Sequence, residues 1–248
     1  SMLHLDARTI NGRTVGENLE MLKKDGFYEK CESYLEPWGL KATDVIRTFE
    51  KPIGTNGTVA ILRGNLAPDG AVVKHSAVPK EMFHAVLRAR PFDSEEEAIE
   101  AVLTHKIRPG DAVIIRYEGP VGSGMPEMFY TTEAIASDEL LAKSIALITD
   151  GRFSGASKGP AIGHVSPEAA AGGPIALLET DDVILLDIEE RKLEIIGVKG
   201  QKLAEEEIEK ILEERKRAWI PKEEKYKSGV LKIYSEHAVS PMKGGYMK

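Results

Sequence analysis

An apolar run, Ile145-Ala146-Leu147-Ile148, passes directly into Thr149-Asp150-Gly151-Arg152-Phe153-Ser154-Gly155, and this junction constrains the chain more than any other stretch. The run reads as a buried strand. Glycines at 151, 155, 159 and 163 follow at four-residue spacing, which leaves room for backbone to approach a ligand closely. Ser154 stands at the strand's exit, where α/β proteins commonly present chemistry. A plain glycine-rich strand-to-helix connection fits the same pattern. Two familiar motifs are excluded. A nucleophile elbow needs G-x-S-x-G, whereas the order here is Gly151-Arg152-Phe153-Ser154-Gly155; a phosphate loop needs Lys after its last glycine, whereas Lys158 precedes Gly159.

Around this junction, short apolar runs alternate with turn signals. Strands are expected at 58–62 after an Asn56-Gly57 turn, at 71–74 after Pro68-Asp69-Gly70, at 85–89 up to Pro91, and at 112–117. A hairpin is expected from 182–188 and 193–198, and a further strand at 174–178. Ser94 and Glu97 suit a capping box for a helix reaching His105, and Thr14 with Glu17 suits another. A helix from 132 to 143 and one over 203–219 complete the pattern; in the latter, acids lead and bases trail as the helix dipole prefers. Residues 222–248 read as a docked or loose tail. Many short strands with fewer outer helices suggest a closed or nearly closed barrel flanked by helices, and the pattern alone leaves α/β and α+β both open.

The net charge of −7 argues against a nucleic-acid partner. No apolar stretch approaches the roughly 18 residues of a membrane span, and Asp6, Arg8 and Arg13 interrupt any signal-peptide core. A cytoplasmic setting follows as the default. Cys31 is the one cysteine, too few for an intramolecular disulfide or for a cluster held by several thiolates.

Asp150-Gly151-Arg152-Phe153-Ser154-Gly155, with Gly163-His164-Val165-Ser166-Pro167-Glu168-Ala169 and Gly172-Gly173-Pro174, resembles the C-terminal domain of the dihydroxy-acid dehydratases. That family also includes the 6-phosphogluconate and sugar-acid dehydratases. Residues 60–74 resemble a second stretch of it, and Arg116-Tyr117-Glu118-Gly119-Pro120 with Gly124-Met125-Pro126-Glu127-Met128 a third. The resemblance implies a swivelling β/β/α barrel domain over 51–248, with 1–50 as a connector from a preceding domain. It implies a hydro-lyase that converts 2,3-dihydroxy acids to 2-keto acids, most specifically the enzyme of isoleucine and valine biosynthesis. A sugar-acid (aldonate or 6-phosphogluconate) dehydratase domain and a non-catalytic regulatory module are the alternatives.

By the same resemblance Ser154 is the catalytic base and Glu127 a ligand to Mg2+, with Glu118 the neighbouring carboxylate. Arg152, Gly155 and Ser157 are expected to bind substrate or support the loop. One departure weakens the match at Glu127: the family's proline before this motif is replaced in Val121-Gly122-Ser123-Gly124-Met125. The iron–sulfur cluster would come from an N-terminal domain or a separate partner subunit in a homo- or hetero-oligomer. His164, with no second His or Cys at ligand spacing, reads as a packed or hydrogen-bonded histidine rather than an acid or ligand.

Overall fold

The apolar runs of the central strands are continuous because those strands are covered on both faces, as strands in parallel sheets generally are. A computed structural model describes residues 2–54, 57–155 and 157–248. Asn56 of the expected turn and Ala156 of the glycine-rich loop therefore lie outside the described residues. The chain divides into two compact units, Ser1–Gly57 and Thr58–Lys248. The first holds α1 (Val15–Lys24), α2 (Phe27–Ser33) and α3 (Ala42–Val45). Thr14 and Glu17 form the expected capping box on α1, and Cys31 is exposed on α2.

The second unit is built on one sheet. Its described strands are β1 (Ala60–Leu62), β2 (Gly70–Val73), β3 (His84–Phe92), β4 (Asp111–Ile115), β5 (Ala146–Thr149), β6 (Ala161–Ser166), β7 (Val183–Asp187), β8 (Lys192–Val198) and β9 (Gln201–Lys202). They lie in the order β1-β2-β6-β5-β4-β3-β7-β8-β9. The four middle strands, β6-β5-β4-β3, run parallel, and the flanking pairs are antiparallel. The helices of this unit are α4 (Glu95–Leu103), α5 (Pro120–Ser123), α6 (Phe129–Ala136), α7 (Glu139–Ser144), α8 (Glu205–Ala218) and α9 (Val230–His237).

Alternation along the strands divides the core in two. Ala112 and Ile114 of β4 and Ala146 and Ile148 of β5 point inward, joining Leu62, Ile162, Ile184 and Leu186. Val113, Ile115 and Leu147 point outward and pack with Ala98, Val102, Ile135 and Leu141 of the helices. Helix α8 is pinned from the other side by Arg215, which donates to both oxygens of buried Asp182 at 2.5 and 3.0 Å.

The expected barrel-like α/β domain takes the form of a curled half-barrel whose seam is stitched just past β1. Arg63 bridges Lys192 at the start of β8: its N–H donates to the Arg191 carbonyl at 2.8 Å, and its carbonyl accepts from Leu193 at 2.9 Å. Asn65 then imitates a strand neighbour. Its Nδ2 donates to the Ile195 carbonyl at 2.9 Å and its Oδ1 accepts from the Ile195 N–H at 2.6 Å. Between them, Gly64 has φ +155°, and a Cβ there would come within 2.3 Å of the Leu193 carbonyl oxygen. Only glycine lets the two edges meet so closely.

Several local expectations change. Pro91 does not end β3, because pairing with β7 stops at Arg88 and the proline then needs no ladder donor on that side. The expected helix over 132–143 is two helices, broken where Asp138 caps α7 by accepting from Leu140 and Leu141. Residues 174–178 do not form a strand; Pro174 starts a 3-10 turn, Pro174–Leu177. Ser94 caps α4, but Glu97 accepts from the Asp93 N–H instead of completing the box. Strand β6 had no forecast, since Gly163 and His164 break any apolar alternation. The tail docks through α9, which packs on α5.

Replacing Asn65 by Ala leaves both backbone groups of Ile195 without their seam partners. Urea denaturation should show a loss of about 1–3 kcal/mol, with Asn65→Asp also destabilising because it keeps only the acceptor. Wild-type stability in both variants would show that the seam carries no load.

Candidate functional site

The parallel strands β4 and β5 are adjacent, so their C-terminal ends open at one edge of the sheet. The exit of β4 leads into residues 116–128, and the exit of β5 leads into Asp150 and the glycine-rich loop. Asp150 is fully buried and joins the two. Its carboxylate accepts from the N–H groups of Tyr117 at 3.1 Å, Glu118 at 2.9 Å and Ala169 at 2.8 Å. Glu168, 4% exposed, repeats the device one turn away, accepting from Val121 at 3.0 Å and Gly122 at 2.9 Å.

Two arms then run side by side. Glu127 and Arg152 form an isolated parallel bridge: the Met128 N–H donates to the Arg152 carbonyl at 2.9 Å, and the Arg152 N–H donates to the Pro126 carbonyl at 3.3 Å. The two sequence-predicted residues, Glu127 and Ser154, are thus carried on neighbouring strands of chain, two residues out of register. Gly151 permits this approach, since a Cβ there would press on the Glu118 carbonyl oxygen at 3.1 Å and the Pro126 carbonyl oxygen at 3.3 Å.

Ser154 opens on a cavity of about 340 Å3 that Phe153, Gly155, Ser157, Gly159 and His164 also line. Ser157 sits in the turn itself, its N–H donating to the Ser154 carbonyl at 3.2 Å. Arg152 is exposed and supports the loop through its backbone, while three backbone N–H donors occupy the neighbouring Asp150 carboxylate. Glu118 points elsewhere. It is 3% exposed, takes the Ser123 hydroxyl as a donor and faces Lys225 at 3.5 Å. Glu127, by contrast, is only half-buried. Among the described residues, no group of three or more His, Cys, Asp or Glu gathers as a metal site.

Electrostatics follow burial. Removal from water pushes Asp150 up to about 7, with nearby Glu168 adding to the rise and the three N–H donors opposing it. Burial likewise raises Glu168. His164 is held below the usual histidine range by burial and by the Arg152 guanidinium, so its ring faces the cavity uncharged near neutral pH. Sequence reading assigned His164 a packing role and gave none to Lys74, which enters the same cavity from β2. The available signal was alternation: Ala71 and Val73 are buried in the core, so Val72 and Lys74 must face the other way.

The family model described as dihydroxy-acid/6-phosphogluconate dehydratase C-terminal matches residues 44–245. The chain belongs to this family. It is 47% identical over 247 residues to a dihydroxy-acid dehydratase of Oleidesulfovibrio alaskensis, covering 99% of this chain and 40% of that protein. Dihydroxy-acid dehydratases of Caldanaerobacter subterraneus and Ignicoccus hospitalis are 47% and 45% identical, each over the whole chain and 40% of their own length. The chain thus spans about 40% of the length of these relatives and corresponds to their C-terminal part. No helix among the described residues is long and apolar enough to cross a membrane.

The raised Asp150 carboxyl carries a pH signature. Its folded-state value of about 7 lies above the roughly 4 of an unfolded chain, so the native state holds the extra proton between them. The contribution is fully present below the unfolded value and is lost as pH rises through 7. Measured against Asp150→Asn, wild-type stability should increase by on the order of 2 kcal/mol as pH falls from 8 to 5. Denaturant melts at each pH read the difference, and a flat or reversed trend would contradict it.

Proposed function

We propose that this domain is the C-terminal part of a hydro-lyase that removes water from a 2,3-dihydroxy acid to give a 2-keto acid, with Ser154 as the base. One observation carries the reading: backbone pairing at Glu127 and Arg152 brings the Ser154 loop alongside a half-buried carboxylate. Ser154 Oγ takes the proton from C2 while charge spreads toward the substrate carboxylate. A serine hydroxyl is a weak base, so its anion needs positive or donor groups close by. Neutral His164 lies in the same cavity as a group able to accept a proton.

Glu127 fits a hard divalent cation such as Mg2+, which prefers carboxylate oxygens drawn from several segments; the remaining ligands come from the N-terminal part of the enzyme. Such a cation supplies Lewis-acid help to the departing 3-hydroxyl. An iron–sulfur cluster does not fit the residues of this chain. Cys31 is its one cysteine and lies exposed on α2, in the first compact unit. The cluster therefore belongs to the N-terminal domain or partner subunit, which residues 1–50 connect to this one, and a cytoplasmic setting suits such thiolate-held centres. Val59, Val72 and Phe153 give the cavity an apolar wall, which suits a short aliphatic dihydroxy acid better than a polyhydroxylated sugar acid.

In the full-length enzyme, Ser154→Ala should lower kcat roughly a hundred- to ten-thousandfold while leaving KM and the melting temperature close to wild type. Glu127→Gln should instead raise the magnesium requirement and recover part of its rate in excess Mg2+. Initial rates on 2,3-dihydroxyisovalerate across a magnesium series measure both. Near-normal turnover in Ser154→Ala would overturn the assignment, and a Glu127→Gln rate indifferent to Mg2+ would remove the metal role.

A further inference from the structure

The cavity in front of Ser154 is charged on one side only. Its floor is the outward face of β2 and β6, where Val72 lies opposite Gly163 in the antiparallel register. Its wall is formed by Phe153, Ser154, Gly155, Ser157 and Gly159. Among the described residues that line it there is no Asp or Glu, whereas Lys74 projects into it from the end of β2. His164 is kept uncharged there, which leaves the Lys74 ammonium as the positive group in the lining. A small organic anion with an aliphatic body matches that arrangement: the charge meets Lys74 and the body meets Val59, Val72 and Phe153.

Lys74 is also held in place. Its Nζ donates to the carbonyl of Gly155, the residue after Ser154. An ammonium has three protons, so this contact fixes the side chain across the mouth of the loop while others remain for a ligand. The loop is tied to the same region from its other end, where the Gly159 N–H donates to the Ala77 carbonyl at 3.1 Å. The serine loop and the cation thus keep one spacing, and an anion bound at Lys74 lies within the cavity that Ser154 faces.

We propose that Lys74 is the residue that recognises the substrate carboxylate, and that it sets the specificity of the site for short aliphatic acids over their neutral counterparts. The inference rests on the dehydratase reading for its substrate, though not for its test. In the full-length enzyme, Lys74→Met should raise KM for 2,3-dihydroxyisovalerate about 10- to 100-fold, the usual range for a lost hydrogen bond to a charged group, with a smaller change in kcat. Lys74→Arg should recover much of the affinity.

A second arm needs no turnover. Isovalerate and isovaleramide share a body and differ in charge, and their binding is measured by calorimetry. Wild type should bind the acid at least tenfold more tightly than the amide, and Lys74→Met should lose that preference while keeping its affinity for the amide. If Lys74 only braces the loop, Lys74→Met weakens acid and amide alike, or leaves KM unchanged and lowers kcat, and either result overturns the proposal. Wild type that binds the two equally, or binds neither, overturns it as well. Wild type that prefers the acid through Lys74 yet dehydrates no dihydroxy acid would sink the dehydratase reading and leave the carboxylate assignment standing.

Discussion

The buried carboxylate of Asp150 is the interaction on which the site depends. A carboxyl group removed from water is costly unless its oxygens find donors, and here three backbone N–H groups from two other segments supply them. The arrangement fixes the exit of β4, the exit of β5 and the 168–169 turn to one point. The segments that carry Glu127 and Ser154 both leave from the strand ends joined there. Glu168, also buried, extends the same device to the next turn of the β4 loop. The two loops are therefore placed by polar groups that lack access to solvent, which makes their geometry rigid where a glycine-rich sequence alone would leave it open.

That rigidity reaches the cavity through backbone. The pairing of Glu127 with Arg152 transmits the position of one loop to the other, and at Gly151 a Cβ would crowd the Glu118 and Pro126 carbonyl oxygens at 3.1 and 3.3 Å. Behind them, the two-sided burial of β4 and β5 leaves little freedom for the strand ends to move. The sheet itself is tied at its far edge by Arg63 and Asn65, and β2, with Lys74 just beyond its end, lies beside the serine loop through its pairing with β6.

Much of this was legible in the amino-acid order. Continuous apolar runs at 112–115 and 145–148 marked the two-sided strands, and a polar, glycine-rich stretch immediately afterwards marked the loop at their exit. The motifs at Ser154 and Glu127 carried the family. Less was readable where long-range packing decided the outcome. Strand β6 is made by pairing with β2 and β5, not by its own alternation. Pro91 stays within β3 because its neighbour ends early, a fact about another strand. Asp150 stood out only as one residue of the motif, because nothing local announces three donors arriving from residues 117, 118 and 169. Lys74 was visible as the end of a strand but not as a wall of the Ser154 cavity, since residues 74 and 155 meet only in the folded sheet.

The central claim is that Glu127 and Ser154 serve one site, Glu127 reaching a metal held from the N-terminal half while Ser154 faces the substrate beside it. A crystal structure of the full-length enzyme with manganese in place of magnesium tests it most directly, through the anomalous signal of the metal. The account predicts a manganese peak at ordinary coordination distance from a Glu127 carboxylate oxygen, about 2.1 Å by analogy with magnesium, with Ser154 Oγ facing the same space. A metal ligated entirely by the N-terminal half, with Glu127 turned away or Ser154 opening on a separate cavity, would contradict it.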